Sequence, residues 1–241
     1  MIPGISVETM RRSDAYTIMN FVPSLELMHR AAYGVFLSHR WTGPVAIVAG
    51  SGNNGGDGFA LACILQEHNI SCTVFALSQK LSQDSAFYAD RAKRSGVPIR
   101  PFEAGCMKDF AEAVDCLLGT GFQGEVRENY RAAIEEINGS DAFVISVDIN
   151  SGMNGDSGES ITAVRSDLTV TIGFVKNGLI TEKAGAFMKQ LVCTDIGIAL
   201  IQEENHICTA EEWQEKNDLP GYFLCPGWLD MDIIPAVLAN E

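Results

Sequence analysis

Basic residues are scarce in this 241-residue chain: 17 Lys and Arg stand against 31 Asp and Glu, a formal net charge of −14. Such a field repels nucleic acid, and no basic stripe with interleaved aromatics offsets it, so nucleic acid is not an expected partner. No run of 18 apolar residues occurs, so no membrane span is expected. Residues Met1 to Asp14 lack the charged-then-apolar order of a signal peptide. The seven cysteines (63, 72, 106, 116, 193, 208, 225) form no C-x-x-C pair, and several sit in apolar runs such as Ala62-Cys63-Ile64. They read as reduced thiols, which points to the cytoplasm. The four histidines (29, 39, 68, 206) have no metal-ligand spacing, and the absence of G-x-x-x-x-G-K-[ST] excludes a P-loop.

What is present is concentrated in one stretch. The run Val45-Ala46-Ile47-Val48-Ala49 reads as a strand, Gly50 to Gly58 is rich in glycine and amides, and Phe59-Ala60-Leu61-Ala62 reads as a helix. A strand, a glycine-rich turn and a helix N-terminus in that order present free backbone N–H groups and the positive end of the helix dipole to an anion. Residues 50–55 satisfy G-x-G-x-x-G. The dinucleotide fingerprint also wants an acidic residue about 20 positions on, at the end of the next strand. Here that strand, Cys72 to Leu77, is followed by Ser78 and carries no acid. The turn therefore reads as a nucleotide cradle of another kind.

Helices are expected over 6–20 and 24–39, each opened by a serine cap. Strands at 45–49, 72–77, near Ile99, 114–118, 142–147, 168–172 and 191–194 alternate with helices at 58–68, 82–95, 107–113 and 129–138. Near-continuous apolar strands such as Phe143 to Val147 are buried on both faces, so the expected fold class is α/β with a largely parallel sheet between helix layers. No repeat or linker interrupts the chain, which reads as one domain over 1–241: N-terminal helices at 6–39, an α/β core at 44–200 and an irregular, acidic tail at 201–241.

Ligands of open α/β sheets bind outside the carboxyl ends of the strands. Three polar segments fall there: Asn53 to Asp57, Gly119 to Glu125, and Asp148 to Gly152. Asp115 lies inside an apolar strand, where a carboxylate is costly unless it is paired or binds a cation. Joined by the Asn54 carbonyl and the Ser151 hydroxyl it makes a set of hard oxygens. One carboxylate with neutral oxygens suits a singly charged cation better than Ca²⁺, whose sites carry more charge. Asp148, at a strand's carboxyl end, is the candidate acid/base.

The segments GSGNNGGDG (50–58), DCLLGTGFQGEVRE (115–128), SVDINSG (146–152) and TVTIGFVKNGL (169–179) resemble the NAD(P)H-hydrate epimerase family, the YjeF N-terminal domain. The resemblance spans residues 5–200 and implies a three-layer αβα Rossmann-like sandwich, often as a homodimer. It implies an isomerase that interconverts the R and S epimers of the hydrated cofactors NADHX and NADPHX at nicotinamide carbon 6. It places substrate contacts on Asn53, Asn54, Gly55, Gly56, Asp57, Gly119, Thr120, Gly121, Phe122, Gln123, Gly124, Glu125 and Asp148. It places one potassium ion per subunit on Asn54, Asp115 and Ser151. Asp148 would release the 6-hydroxyl as acid and, as base, accept a proton from water returning on the opposite face. A separate dehydratase would complete the repair.

This chain departs from the family where proline usually stands, at Asn150 and Val175, and at His29 and Ala32 in the second helix. Loss of two prolines is expected to loosen loops beside the site, since proline fixes φ. Two other readings stay open: a binding or scaffold module that has lost the activity, and a nucleotide enzyme of different chemistry such as a kinase.

Overall fold

Ser6 accepts a hydrogen bond from Thr9 N at 3.0 Å and caps α1, Val7–Asn20, as its residue type dictates. Ser24 does not cap. Pro23 precedes α2 (Ser24–Leu37), whose buried face includes Leu27, Met28, Ala31, Ala32 and Val35. In the computed structural model, residues 4–201 and two short strands, Ile207–Cys208 and Leu224–Pro226, are described. The rest of the expected tail lies outside the described residues.

The strands are β1 (Val45–Ala49), β2 (Cys72–Ala76), β3 (Ile99–Pro101), β4 (Glu112–Cys116), β5 (Phe143–Val147), β6 (Ser166–Ile172), β7 (Met188–Asp195), β8 (Leu200–Ile201), β9 (Ile207–Cys208) and β10 (Leu224–Pro226). One sheet runs in the order β10-β7-β6-β5-β4-β1-β2-β3, with every neighbouring pair parallel. Strands β8 and β9 form a separate antiparallel pair. The remaining helices are α3 (Asn53–Glu67), α4 (Gln83–Arg94) and α5 (Glu128–Asn138).

The strand pleat divides the core. Val45, Ile47 and Ala49 point with Val114 and Cys116 into a layer shared with α2 and α3, while Ala46, Val48 and Ala113 face Ala133, Ile134 and Ile137 of α5. This is a three-layer αβα sandwich, as expected. From β1 the order runs one way to β2 and β3 and the other way to β4. The crevice at that switch point, outside the carboxyl ends of β1 and β4, is where such sheets bind ligands.

Two expected elements differ. No helix forms over 107–113: residues 104–109 are turns, and β4 starts at Glu112. Glu112 accepts bonds from Thr42 N (2.8 Å), Thr42 Oγ1 (2.9 Å) and Gly43 N (2.9 Å), which pins this end of β4 beside the start of β1. Helix α3 starts at Asn53, not Gly58, so the glycine-rich run is largely helix rather than loop. Glycine costs about 1 kcal/mol in a helix interior relative to alanine, and packing explains its use here. A Cβ on Gly55 would lie 2.1 Å from Gly50 O, and one on Gly50 would lie 2.0 Å from Leu117 O. The glycines thus let the β1 and β4 turns and the first turn of α3 touch backbone to backbone.

Candidate active site

Asp148 follows β5 with φ +69°, a left-handed conformation that Asp and Asn tolerate better than most residues. Its Oδ1 lies 2.5 Å from Nζ of Lys176, whose side chain is only 1% exposed. Lys176 also donates to Thr171 Oγ1 (3.0 Å) and Ile172 O (2.7 Å), so all three ammonium protons have acceptors. The backbone turn and the lysine together hold the carboxylate in one place. Its Oδ2 faces the β4 turn: a Cβ on Gly119 would lie 3.5 Å from Oδ2 and 3.3 Å from Asn54 Cβ.

Asp57, on the first turns of α3, and Asp14, on α1, complete a group of three carboxyls around Lys176. Burial, with Asp148 and Asp14 nearby, pushes the Asp57 carboxyl well above the usual carboxylate range against the pull of Lys176. Burial and then Asp148 raise Asp14 likewise.

These groups sit where two spaces meet. A cleft of about 770 Å³ is lined by Asn53, Asn54, Asp57, Gly119, Thr120, Gly121, Phe122, Gln123, Glu125 and Asp148, together with Ser51, Tyr130 and Arg127. That volume is typical of cofactor sites. A smaller cavity of about 150 Å³ runs beneath α1 and α2, walled by Leu27, Met28, Ala31, Ile172 and Ile198. Arg11, Asp14, Asn53, Asp57, Thr120 and Asp148 line both. Gly55 and Gly56 line neither; they are buried in helix packing, with a Cβ on Gly56 placed 2.6 Å from Met28 Cε. Gly124 lines a neighbouring cleft of about 680 Å³ with Arg131 and Lys183.

Asp115 is fully buried in β4. Its carboxylate accepts from Leu117 N (3.2 Å), Ser146 Oγ (2.9 Å), Ser151 N (2.9 Å) and Ser151 Oγ (2.5 Å). Burial raises its pKa and these donors lower it. Leu118 N donates to Ser151 Oγ at 2.8 Å. Asn54, Asp115 and Ser151 thus converge on the Leu117–Gly119 turn. The Asn54 amide is buried with both Oδ1 and Nδ2 lacking a hydrogen-bond partner. The Asn54 carbonyl oxygen is thus an unused acceptor of the kind that suits a singly charged cation, while Asp115 and Ser151 Oγ already bond to one another and to backbone N–H groups. Among the described residues, no group of three or more His, Cys, Asp or Glu is placed to hold a metal.

Asn150 does not loosen its loop. It is fully buried, with Nδ2 3.0 Å from both Val164 O and Ser166 Oγ and 2.9 Å from Phe187 O, while Oδ1 accepts from Thr169 Oγ1 at 2.7 Å. A hydrogen-bonded amide here does the anchoring expected of proline. Asn150→Ala would remove four hydrogen bonds at once. It should cost about 2 kcal/mol or more, lowering Tm by roughly 4–8 °C for a chain of this size; an unchanged melting curve would contradict this role.

Sequence reasoning missed Lys176, Asp14 and Arg11. Lys176 is the single cation closing the run Leu168 to Val175, and a cation in so apolar a setting demands a buried acceptor. Asp14 stands four residues after Met10 on the buried face of α1.

Residues 24–178 match the family model described as YjeF-related protein N-terminus. Among named relatives, an NAD(P)H-hydrate epimerase of Oenococcus oeni is 36% identical over 80% of this chain and 96% of its own length. One of Limosilactobacillus fermentum is 32% identical, again over 80% of this chain and 96% of its own. A bifunctional NAD(P)H-hydrate repair enzyme Nnr of Coxiella burnetii is 36% identical over 79% of this chain, which spans only 40% of that enzyme's length. The crystal structure of a yeast protein superposes with a TM-score of 0.72 at 20% identity, covering 96% of this chain and 98% of that one, a likeness of fold.

Proposed function

This chain belongs to the YjeF N-terminal family, and on that premise we propose that it is an isomerase interconverting the R and S epimers of NADHX and NADPHX. The observation that carries the reading is the carboxylate of Asp148, fixed by buried Lys176 at the junction of a nucleotide-sized cleft and a smaller cavity with apolar residues on its α2 side. The cleft, between the N-terminus of α3 and the turn after β4, takes the anionic dinucleotide: helix-terminal N–H groups hold phosphate despite the acidic surface. The hydrated nicotinamide ring enters the cavity under α1 and α2, against Leu27 and Met28. Carbon 6 then lies at the junction, where a carboxyl moves the proton of the leaving or entering hydroxyl.

Potassium is the proposed cation. Asn54, Asp115 and Ser151 would hold it, and it supplies positive charge that fixes the first turn of α3 against the β4 turn. Replacing potassium by lithium at equal ionic strength should slow epimerisation at least tenfold and lower Tm; equal rates and melting in both salts would remove the cation from the account. The wider proposal is a homodimer in the cytoplasm, working upstream of a separate NAD(P)H-hydrate dehydratase. Buried, unpaired Cys63, Cys72, Cys116 and Cys193 support a reducing compartment.

The reading is tested by adding the purified protein to R-NADHX in potassium buffer and following the S epimer by chromatography. Formation well above the spontaneous rate is expected; a rate equal to the blank overturns it.

A further inference from the structure

Epimerisation at carbon 6 exchanges the face of the ring that carries the hydroxyl. One proton must be delivered to the departing oxygen on one face, and another taken from water arriving on the other. Asp148 is poorly suited to both tasks. Its backbone is fixed at φ +69° and its Oδ1 is tied to Lys176, which is itself tied to Thr171 and Ile172. A carboxylate held this way serves one face of a ring lodged in a narrow cavity.

A second carboxyl meets the same junction from another element. Asp57 projects from the first turns of α3 and lines both the cleft and the cavity, as Asp148 does. Among the described residues its side chain accepts no hydrogen bond, so it is available to a ligand. We propose that Asp57 is a second catalytic residue, the proton-transfer group for one face of carbon 6, with Asp148 serving the other. This rests on the epimerase reading above.

The two groups sit in different electrostatic settings. Asp57 faces Asp14 from α1, Asp148 from the end of β5 and Lys176 beyond β6, and burial with the two carboxylates favours its acid form. Asp148 carries the ion pair with Lys176. In one direction, Asp57 gives its proton to the 6-hydroxyl. The C6–O bond breaks, its electron pair leaves with water, and the ring-nitrogen lone pair forms the C6–N1 double bond. Water adds to carbon 6 from the other face, that π pair returns to nitrogen, and the water proton passes to Asp148. The reverse direction uses the same groups with roles exchanged. No electron is gained or lost, and proton exchange with water in the cleft resets the pair.

A two-carboxyl arrangement has a signature that a merely structural Asp57 lacks. In ¹⁸O-labelled water, Asp57→Asn should epimerise purified NADHX at least a hundredfold more slowly than wild type. It should still exchange the 6-hydroxyl of one epimer with solvent without inversion. Asp148→Asn should exchange only the other epimer. Residual one-sided exchange also shows that each variant is folded, and Asp57→Glu, which keeps the carboxyl, should recover part of the epimerisation rate. Wild-type epimerisation by Asp57→Asn would overturn the proposal, as would exchange into the same epimer by both variants. Loss of exchange into both epimers by Asp57→Asn with a normal melting curve would overturn the division between faces. A wild-type protein that fails to accelerate epimerisation at all would instead bring down the functional reading beneath it.

Discussion

Asp148→Asn should lower the rate of NADHX epimerisation between about a hundredfold and ten-thousandfold, the range typical of a lost general acid or base. The substitution keeps the shape of the side chain, while buried Lys176 loses its counter-charge, so some fall in Tm accompanies it. Asparagine accepts the left-handed backbone at φ +69° about as well as aspartate. Its carbonyl can still accept from Lys176, which keeps Thr171 Oγ1 and Ile172 O as further acceptors. The variant should therefore fold and bind the dinucleotide in the cleft, losing chemistry while KM changes little. A loss of dinucleotide binding parallel to the loss of rate would make Asp148 a structural anchor instead.

Lys176→Met should cost both activity and stability. Methionine has nearly the length of the lysine stem but leaves the largely enclosed Asp148 with no cation and takes the ammonium donor from Thr171 Oγ1. Removing one partner of a buried pair typically costs about 3–5 kcal/mol, so a fall in Tm of roughly 6–20 °C is expected for a chain this long. The loss should also depend on pH. Asp57 and Asp14 already have folded-state pKa values raised above their unfolded ones, and Lys176 opposes both shifts. Without the lysine both rise further. A carboxyl whose folded pKa exceeds its unfolded pKa takes stability away as pH climbs from the unfolded value through the folded one. The deficit of Lys176→Met relative to wild type should therefore be smallest in mild acid and grow toward neutral and alkaline pH. A deficit that shrinks with rising pH would mean that the carboxyl cluster is not what the lysine stabilises.

How far the site was legible in the sequence follows from which interactions are local. The apolar run Val45 to Ala49 is a strand at its expected limits because a doubly covered parallel strand has no competing pattern. Ser6 and Ser82 cap their helices because an N-cap bond reaches only three residues. The stretch Asn53 to Gly58 reads as loop by composition, since glycine and asparagine are poor helix formers. Its helical state depends on Gly50, Gly55 and Leu117 touching, which is a tertiary fact. For the same reason 107–113 is not a helix: Glu112 is claimed by Thr42 and Gly43, some 70 residues earlier. Asp115 stood out as a carboxylate inside an apolar strand, and it is bonded to Ser151, the hydroxyl expected beside it. Asp148 stood out too, yet its partner Lys176 lies 28 residues downstream and no local pattern joins them. Asn150 misled, because a missing proline suggested a slack loop whereas its amide is bonded to residues on three later segments.

The most direct test of the account is a time course begun separately from pure R-NADHX and pure S-NADHX, with the protein at catalytic concentration and potassium present. An epimerase with carboxyls at one junction must work in both directions. Both courses should converge on the same mixture of epimers, faster than the uncatalysed drift and without loss of total NADHX. Convergence no faster than the blank would contradict the account, as would disappearance of either epimer into a third product.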